Sequence, residues 1–404
     1  MEQVLFVGRF YSEESLKTAI EDSKYNLNLS NHNFEMSIFD GLKQNLGKNF
    51  SCITVPQNYS YPRHCSKIYT HGEFYYKDGI YVKRVSLCNL PIIKDIWGTL
   101  SLTYCICLYC VNCSSKKLYI LVNSQKNVLM LSVLLASILS WKQVRKVLII
   151  PDVSSMVTKC LTKNKLRRSL VNIIDFFSDF LANRFDGYVF LTEQMKELFS
   201  HKKYIVMEGL LTNRNLCESS VVGDGGAVKS FLYTGSLDRI YGIMDLIDAF
   251  EKLNRLDVEL WICGAGDSVK EIKIRTGKNS KIKFFGFVSP TEAANLQRKA
   301  MVLVNPRKDN GDYTKYSFPS KTLEYMMARK PVIMHKLPGV PSDYYDYVFF
   351  PTGDSIEEFA DVMNTVMNMD PDILQKRVQE AYDFVSNNKN SKVQMKRVLD
   401  LLFC

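Results

Sequence analysis

Phe231–Phe250, FLYTGSLDRIYGIMDLIDAF, is the stretch on which the fold turns. It opens on a short apolar run, Phe231–Thr234, breaks at the small residues Gly235 and Ser236, and resumes after Gly242 with apolar residues at helical spacing. A buried strand passing through a small-residue turn into an amphipathic helix is one half of a βαβ unit. The pattern repeats outward. Strands are expected at Val258–Cys263, Ile282–Phe285, Met301–Val304 and Pro331–Met334, with helices at Gly242–Asn254, Ser289–Lys299 and Lys321–Ala328.

The first half alternates in the same way. Expected strands are Val4–Val7, Ser51–Val55, Leu118–Val122, Val144–Ile150, Gly187–Leu191 and Tyr204–Met207. Helices are expected near Asn33–Asn45, over Val128–Trp141, over Leu166–Asn183, and after Thr192, which is read as a cap. Between the halves, Ser219–Gly226 is small, polar and glycine-rich, as a surface connection should be. The reading is α/β: two Rossmann-like doubly wound domains, residues 1–212 and 213–385, facing across a cleft, followed by a terminal segment, 386–404. Ligands of such sheets sit beyond the carboxyl ends of the strands.

Composition removes several function classes. A chain of 404 residues with 46% hydrophobic and 23% charged residues has enough apolar surface for two cores, which argues against disorder. Val128–Trp141 is shorter than the roughly 20 residues a bilayer span requires, so it is read as a buried crossover helix. Met1-Glu2-Gln3 lacks a basic start and Val4–Val7 is too short for a signal core, so a cytoplasmic chain with reduced thiols is expected. Cys105, Cys107, Cys110 and Cys113 are close enough to suggest a metal, but their neighbours are those of a packed helix, and structural thiols are expected. The net charge of +10 gathers in part at Lys142, Arg145, Lys146, Lys159, Lys163, Lys165, Arg167 and Arg168. That cluster is either a solvated face or a patch for anionic lipid, phosphate-bearing acceptors or nucleic acid.

Four points in the second half suit a diphosphate nucleotide. Gly235 and Ser236 let backbone N–H groups approach an anion, and Arg239 lies in the same turn. Gly264 and Gly266 end a strand in Gly-x-Gly; the third glycine of a dinucleotide fingerprint is replaced by Val269, which argues against an oxidoreductase. Val288 precedes Ser289 and Pro290, a strand end turning into a capped helix where backbone groups could meet a base edge. Ser317-Phe318-Pro319-Ser320 leads into a helix on which Lys321 and Glu324 share a face, so that a carboxylate can take ribose hydroxyls while the lysine faces phosphates. Asp370-Pro371-Asp372 is read as a helix start rather than a metal site.

From Phe231 to about Phe359 the chain resembles the family 4 (group 1) glycosyltransferases of the GT-B fold, of the bacterial capsular, exopolysaccharide and O-antigen type. The resemblance is carried by YTGSLDRIYGIMDLIDAF, LWICGAG, FFGFVS, VLVNPR and SFPSKTLEYMMARKPVIMHKLPGVPSDYYDY, and more loosely by FDGYVFLTEQM in the first half. It implies transfer from a nucleoside diphosphate sugar with retention, without a metal or other cofactor. Glu324 matches the second glutamate of the family's E-x7-E signature, which binds the donor ribose; Arg239 and Lys321 match basic positions near the diphosphate. Tyr316 stands where the first glutamate is usual, and Pro151-Asp152 where many members carry a sugar-facing histidine, which makes Asp152 a candidate for orienting acceptor or sugar. The final helix is expected to pack back on the first domain, as is usual for this fold. The acceptor implied is a saccharide, taken here as polyprenyl-diphosphate-linked, met at the inner face of the cytoplasmic membrane by a peripheral enzyme; nucleic acid is not an expected partner. A nucleotide-binding scaffold without transfer activity and a nucleotide-sugar epimerase are the alternative readings.

Overall fold

The computed structural model describes residues 3–23, 29–55, 60–63, 65–151, 165–199, 202–211, 229–309 and 311–404. The chain forms two compact units, one of residues 1–210 joined by 391–404, the other of residues 211–390.

In the first unit the strands are β1 (Gln3–Gly8), β2 (Phe50–Thr54), β4 (Glu73–Lys77), β5 (Ile80–Arg84), β7 (Lys117–Asn123), β8 (Gln143–Ile150), β9 (Gly187–Phe190) and β10 (Lys203–Val206), with a small ribbon of β3 (Tyr69–Thr70) and β6 (Leu87–Cys88). The sheet order is β10-β9-β8-β7-β1-β2-β5-β4. All neighbours are parallel except β4, which pairs antiparallel with β5 in a hairpin that the repeating strand–helix pattern does not announce. β7 is buried at every position but its first, which is why it reads as an unbroken apolar run. The helix Asn127–Leu139 carries β7 over to β8, and no helix among the described residues is long and apolar enough to cross a membrane. The last helix, Ser391–Phe403, packs along Leu29–Leu46 and puts Met395, Val398 and Leu402 into the first unit's core.

In the second unit, β11 (Lys229–Ser236), β12 (Val258–Ala265), β13 (Ile282–Gly286), β14 (Val302–Asn305) and β15 (Val332–Met334) form an all-parallel sheet in the order β13-β12-β11-β14-β15. This is the doubly wound order, reversing between β11 and β14. One apolar cluster lies around Phe231, Ile247, Ile262 and Met363, and another around Leu303, Tyr325, Met334 and Tyr344.

One expectation is corrected. Thr192 makes no side-chain cap hydrogen bond, and the six residues after it, Glu193–Leu198, form a 3-10 turn rather than an α-helix; so short a segment gains little from an α-helical register. A helix that local pattern does not disclose, Val269–Lys278, connects β12 to β13; its many charged positions hide the apolar stripe that would mark it.

Candidate functional site at the switch point of the second sheet

The carboxyl ends of β11 and β14 flank the place where strand order reverses, and three contacts draw the surrounding segments together there. The Tyr325 hydroxyl, fully buried, accepts from the Thr234 amide at 3.0 Å and lies 3.2 Å from the Thr234 carbonyl. Gln297 Nε2 donates to Thr234 Oγ1 at 3.0 Å. Gly242, at φ +77°, has its α-carbon so close to Pro306 that a Cβ would sit 2.3 Å from the Pro306 carbonyl oxygen. The turn after β11, the turn after β14 and the helix Lys321–Met327 are thereby fixed to one another.

On that helix Lys321 Nζ donates to Glu324 Oε2 at 2.8 Å, with both side chains about two fifths exposed. Burial works against the ammonium, but the Glu324 carboxylate and the nearby Tyr325 outweigh it and raise the Lys321 pKa. An i, i+3 pair of this exposure contributes no more than ~0.5 kcal/mol to the helix. The fully buried Tyr325 contact holds the segment; the ion pair is available for something else.

The other expected residues divide into exposed and packed groups. Gly235, Ser236 and Ser317 are half-buried and Ser320 is exposed, without a side-chain cap bond to the helix it precedes. Tyr316, Phe318 and Pro319 are buried; the Phe318 ring lies 5.3 Å from that of Tyr344, so Phe318 belongs to the core. Gly264 and Gly266 make their close approach to the neighbouring turn: a Cβ on Gly264 (φ +145°) would stand 1.9 Å from the Gly235 carbonyl oxygen, and one on Gly266 2.3 Å from the Leu237 carbonyl carbon. Asp238 completes the stitching, accepting from Ser236 Oγ at 2.7 Å and from the Asp267 amide at 3.0 Å. Arg239 is exposed and its guanidinium pairs with Glu271 on the helix after Gly266. Val288 is half-buried against the second apolar cluster, ahead of a helix whose Ser289 and Glu292 form a reciprocal capping box. Asp152 lies outside the described residues, as do Lys159 and Lys163.

Arg307 stands among these candidates, although the sequence reading passes over it at the end of the VLVNPR segment. Only 6% exposed, it lies two residues beyond β14, places Nη1 3.4 Å from Ser317 Oγ and has its guanidinium carbon 6.0 Å from the centre of the Tyr241 ring. The signal that could have found it is position: a basic residue two places beyond a parallel strand's carboxyl end, at the switch point.

The Asp-Pro-Asp run starts a helix, and the clustered cysteines lie along one. Asp370 caps the helix Pro371–Asn388, accepting from the amides of Asp372 and Ile373. Cys105, Cys107, Cys110 and Cys113 run along the end of the helix Ile93–Asn112; burial pushes the Cys110 thiol up to about 11, and Cys113 Sγ donates to Gln3 Oε1 at 2.8 Å. No group of three or more His, Cys, Asp or Glu side chains among the described residues is placed to hold a metal. A cavity of about 480 Å³ lies in the first unit, lined by residues such as Gln3, Phe50, Tyr109 and Cys113, and none of the described donor candidates borders it.

Solved structures place this architecture among known folds. A glycosyltransferase from Rickettsia africae ESF-5 is matched at a TM-score of 0.66 with 12% identity, over 99% of this chain and 98% of that one. The sucrose-phosphate synthase of Thermosynechococcus elongatus is matched at 0.63 with 12% identity, over 100% and 99% of the two chains. HepE of Anabaena, solved with UDP and glucose, is matched at 0.61 with 16% identity, over 100% and 99%. The fold is GT-B. Within this GT-B chain, residues 228–369 match the family described as Glycosyl transferases group 1, a span containing every candidate residue of the second unit. No curated protein gives a significant sequence match.

Proposed function

We propose that the protein transfers a sugar from a nucleoside diphosphate donor, with UDP as the favoured nucleotide, to a lipid-linked saccharide in surface polysaccharide synthesis. The observation that carries this reading is the Lys321–Glu324 pair, joined at 2.8 Å and held by Tyr325 against the end of β11, inside the span that matches group 1 glycosyltransferases. HepE of Anabaena, of the same fold, was solved with UDP and glucose, which supports the choice of nucleotide.

In this reading Glu324 accepts the ribose hydroxyls. Lys321 exchanges its neighbour's carboxylate for the diphosphate, and Gly235 and Ser236 offer backbone N–H groups to the same phosphates. Breaking the bond between sugar and phosphate builds negative charge on the departing diphosphate, and fixed cations aimed there lower the barrier. Arg307 supplies a buried cation held by Ser317. Arg239 adds an exposed one if it leaves Glu271. The departing phosphate oxygen takes the acceptor's proton in a retaining, metal-independent route, and Asp152 orients the acceptor hydroxyl or the sugar. Tyr316 replaces a carboxylate on the sugar side, so recognition of the sugar there rests on packing and a phenol rather than on a charge.

Lys321→Ala and Glu324→Ala are expected to lower transfer to a membrane lipid extract at least about a hundredfold, in line with the loss of one transition-state donor. Both should keep the wild-type circular dichroism spectrum. Near-normal turnover in the pair would remove the assignment. A nucleotide-binding scaffold would instead show a UDP-dependent rise in Tm with no transfer, and an epimerase would convert donor in the absence of any acceptor.

A further inference from the structure

The first unit carries an apolar face that its own core does not use. Among the described residues, more than half of the exposed large hydrophobic side chains lie on, or directly beside, three helices. These are Ile93–Asn112, Asn127–Leu139 and Lys165–Ala182, which pack side by side. Ser132 Oγ donates to the Thr99 carbonyl at 3.1 Å and Ser178 Oγ to Asn127 Oδ1 at 2.7 Å, so the three form one surface.

The first helix is apolar on two opposite sides. Gly98, Leu102, Ile106 and Cys110 are buried at four-residue spacing. Ile93, Trp97, Leu100, Tyr104, Leu108 and Val111 follow the same period on the other side and are all exposed. A helix at the surface of a water-soluble domain ordinarily shows polar residues there. The third helix also exposes apolar residues on one side, Ile173, Phe176, Phe177 and Phe180, Phe176 being 76% exposed. Between them the middle helix has no charged residue and ends at Leu139 and the fully exposed Trp141. Contiguous apolar surface on this scale marks an interaction site.

Charge identifies what covers it. Residues 91–142 contain five lysines against a single aspartate, and residues 165–184 four basic residues against two aspartates. Arg184 lies 4.8 Å from the centre of the Phe180 ring, at the border of the apolar face. A second copy on a twofold axis would set these same basic segments against themselves. An anionic bilayer meets both features, taking aliphatic and aromatic side chains at its interface and cations at its headgroups.

We propose that these three helices dock the protein on an anionic lipid bilayer, with the side chains of Trp97, Leu100, Trp141 and Phe176 entering the interfacial layer. This deepens the lipid-linked acceptor of the proposed function and rests on that reading only for the acceptor's location. It also differs from attraction by the basic cluster alone, because it requires apolar insertion as well as charge.

The test is flotation of the full chain with vesicles of phosphatidylcholine alone or enriched in phosphatidylglycerol. Binding is expected to the anionic vesicles, and Leu100→Ser/Trp141→Ser/Phe176→Ser should weaken it at least tenfold. Leu256→Ser/Ile274→Ser/Ile373→Ser, also exposed apolar residues but in the second unit, should leave it unchanged. In a Trp97→Phe/Trp261→Phe background, Trp141 emission should shift to the blue on anionic vesicles. The triple variant should retain its UDP-dependent rise in Tm, so failure of docking is separable from failure of the donor assignment. Equal binding to neutral vesicles, unchanged binding by the triple variant, or conversion of a wild-type dimer to a monomer by those substitutions would each overturn the proposal.

Discussion

Glu35, on the helix Leu29–Leu46, has no exposed surface, and its carboxyl accepts from the Arg9 amide, from Asn123 Nδ2 at 2.9 Å and from Asn31 Nδ2 at 3.2 Å. It stands at the carboxyl end of β1, the switch point of the first sheet, where Gly8 leaves room for it: a Cβ there would lie 2.3 Å from Glu35 Oε2. Burial raises its pKa from 4.5 to about 7, although these hydrogen bonds and Arg9 pull the other way; the neighbouring Cys52 thiol is raised by the same burial and by Glu35 itself. Asn123 Oδ1 is buried without a partner among the described residues, an acceptor for a protonated carboxyl if the amide turns over. The folded chain therefore holds this proton more tightly than the unfolded one. Its contribution to stability is complete below pH ~4.5 and is lost as pH rises through about 7, a change on the order of 3 kcal/mol. Urea melts of wild type and Glu35→Gln across this window should show a flatter dependence in the variant. Parallel slopes would mean that Glu35 does not carry the pH dependence. Nothing local marks this residue, because a lone glutamate in NHNFEMSIF reads as a solvent-facing helical position. For Lys321 and Glu324 the reverse holds, since an i, i+3 spacing after Pro319 places both on one face whatever the surroundings.

Among the elements, the helix Lys321–Met327 shows how a short segment is kept in place. Seven residues are too few to be stable alone. Thr322, Leu323, Tyr325 and Met326 are buried beneath it, and Tyr325 reaches the backbone of Thr234. Tyr325→Phe strands the Thr234 amide and is expected to cost about 1–3 kcal/mol. It should also weaken UDP binding by more than it alters the nucleotide preference, because Lys321 and Glu324 lose their fixed position relative to Gly235. Isothermal titration with UDP and UMP checks both parts; unaltered affinity for UDP would show that the hydrogen bond does not position the site. The helix itself is legible from its apolar spacing and its Ser-Lys-Thr-Leu-Glu run. Its anchor on β11 is not, since Thr234 and Tyr325 are 91 residues apart and nothing local links them.

For the whole molecule, chain order and structural membership part company at the end. The helix Ser391–Phe403 follows the second unit in sequence but belongs to the first, where Met395, Val398 and Leu402 are fully buried. Side chains of this size contribute ~1.5–3 kcal/mol each when buried, against a total stability of about 5–15 kcal/mol. A chain ending at Asn390 should lose the cooperative melting of the first unit and bind a dye for exposed apolar surface, while a UDP-dependent stabilisation of the second unit persists. Intact two-step melting in that truncation would show that the helix is dispensable.

Local pattern alone determined the α/β class and most strands of both sheets and marked candidate donor residues in the second unit, because period, small-residue turns and i, i+3 spacing are properties of neighbours in the chain. Tertiary structure decided which glycine makes room for which turn, that Arg239 pairs with Glu271, that Arg307 stands buried at the switch point, and that one face of three helices is left uncovered. Those outcomes depend on which distant segments come together, and burial, which sets both pKa and exposure, exists only after they have.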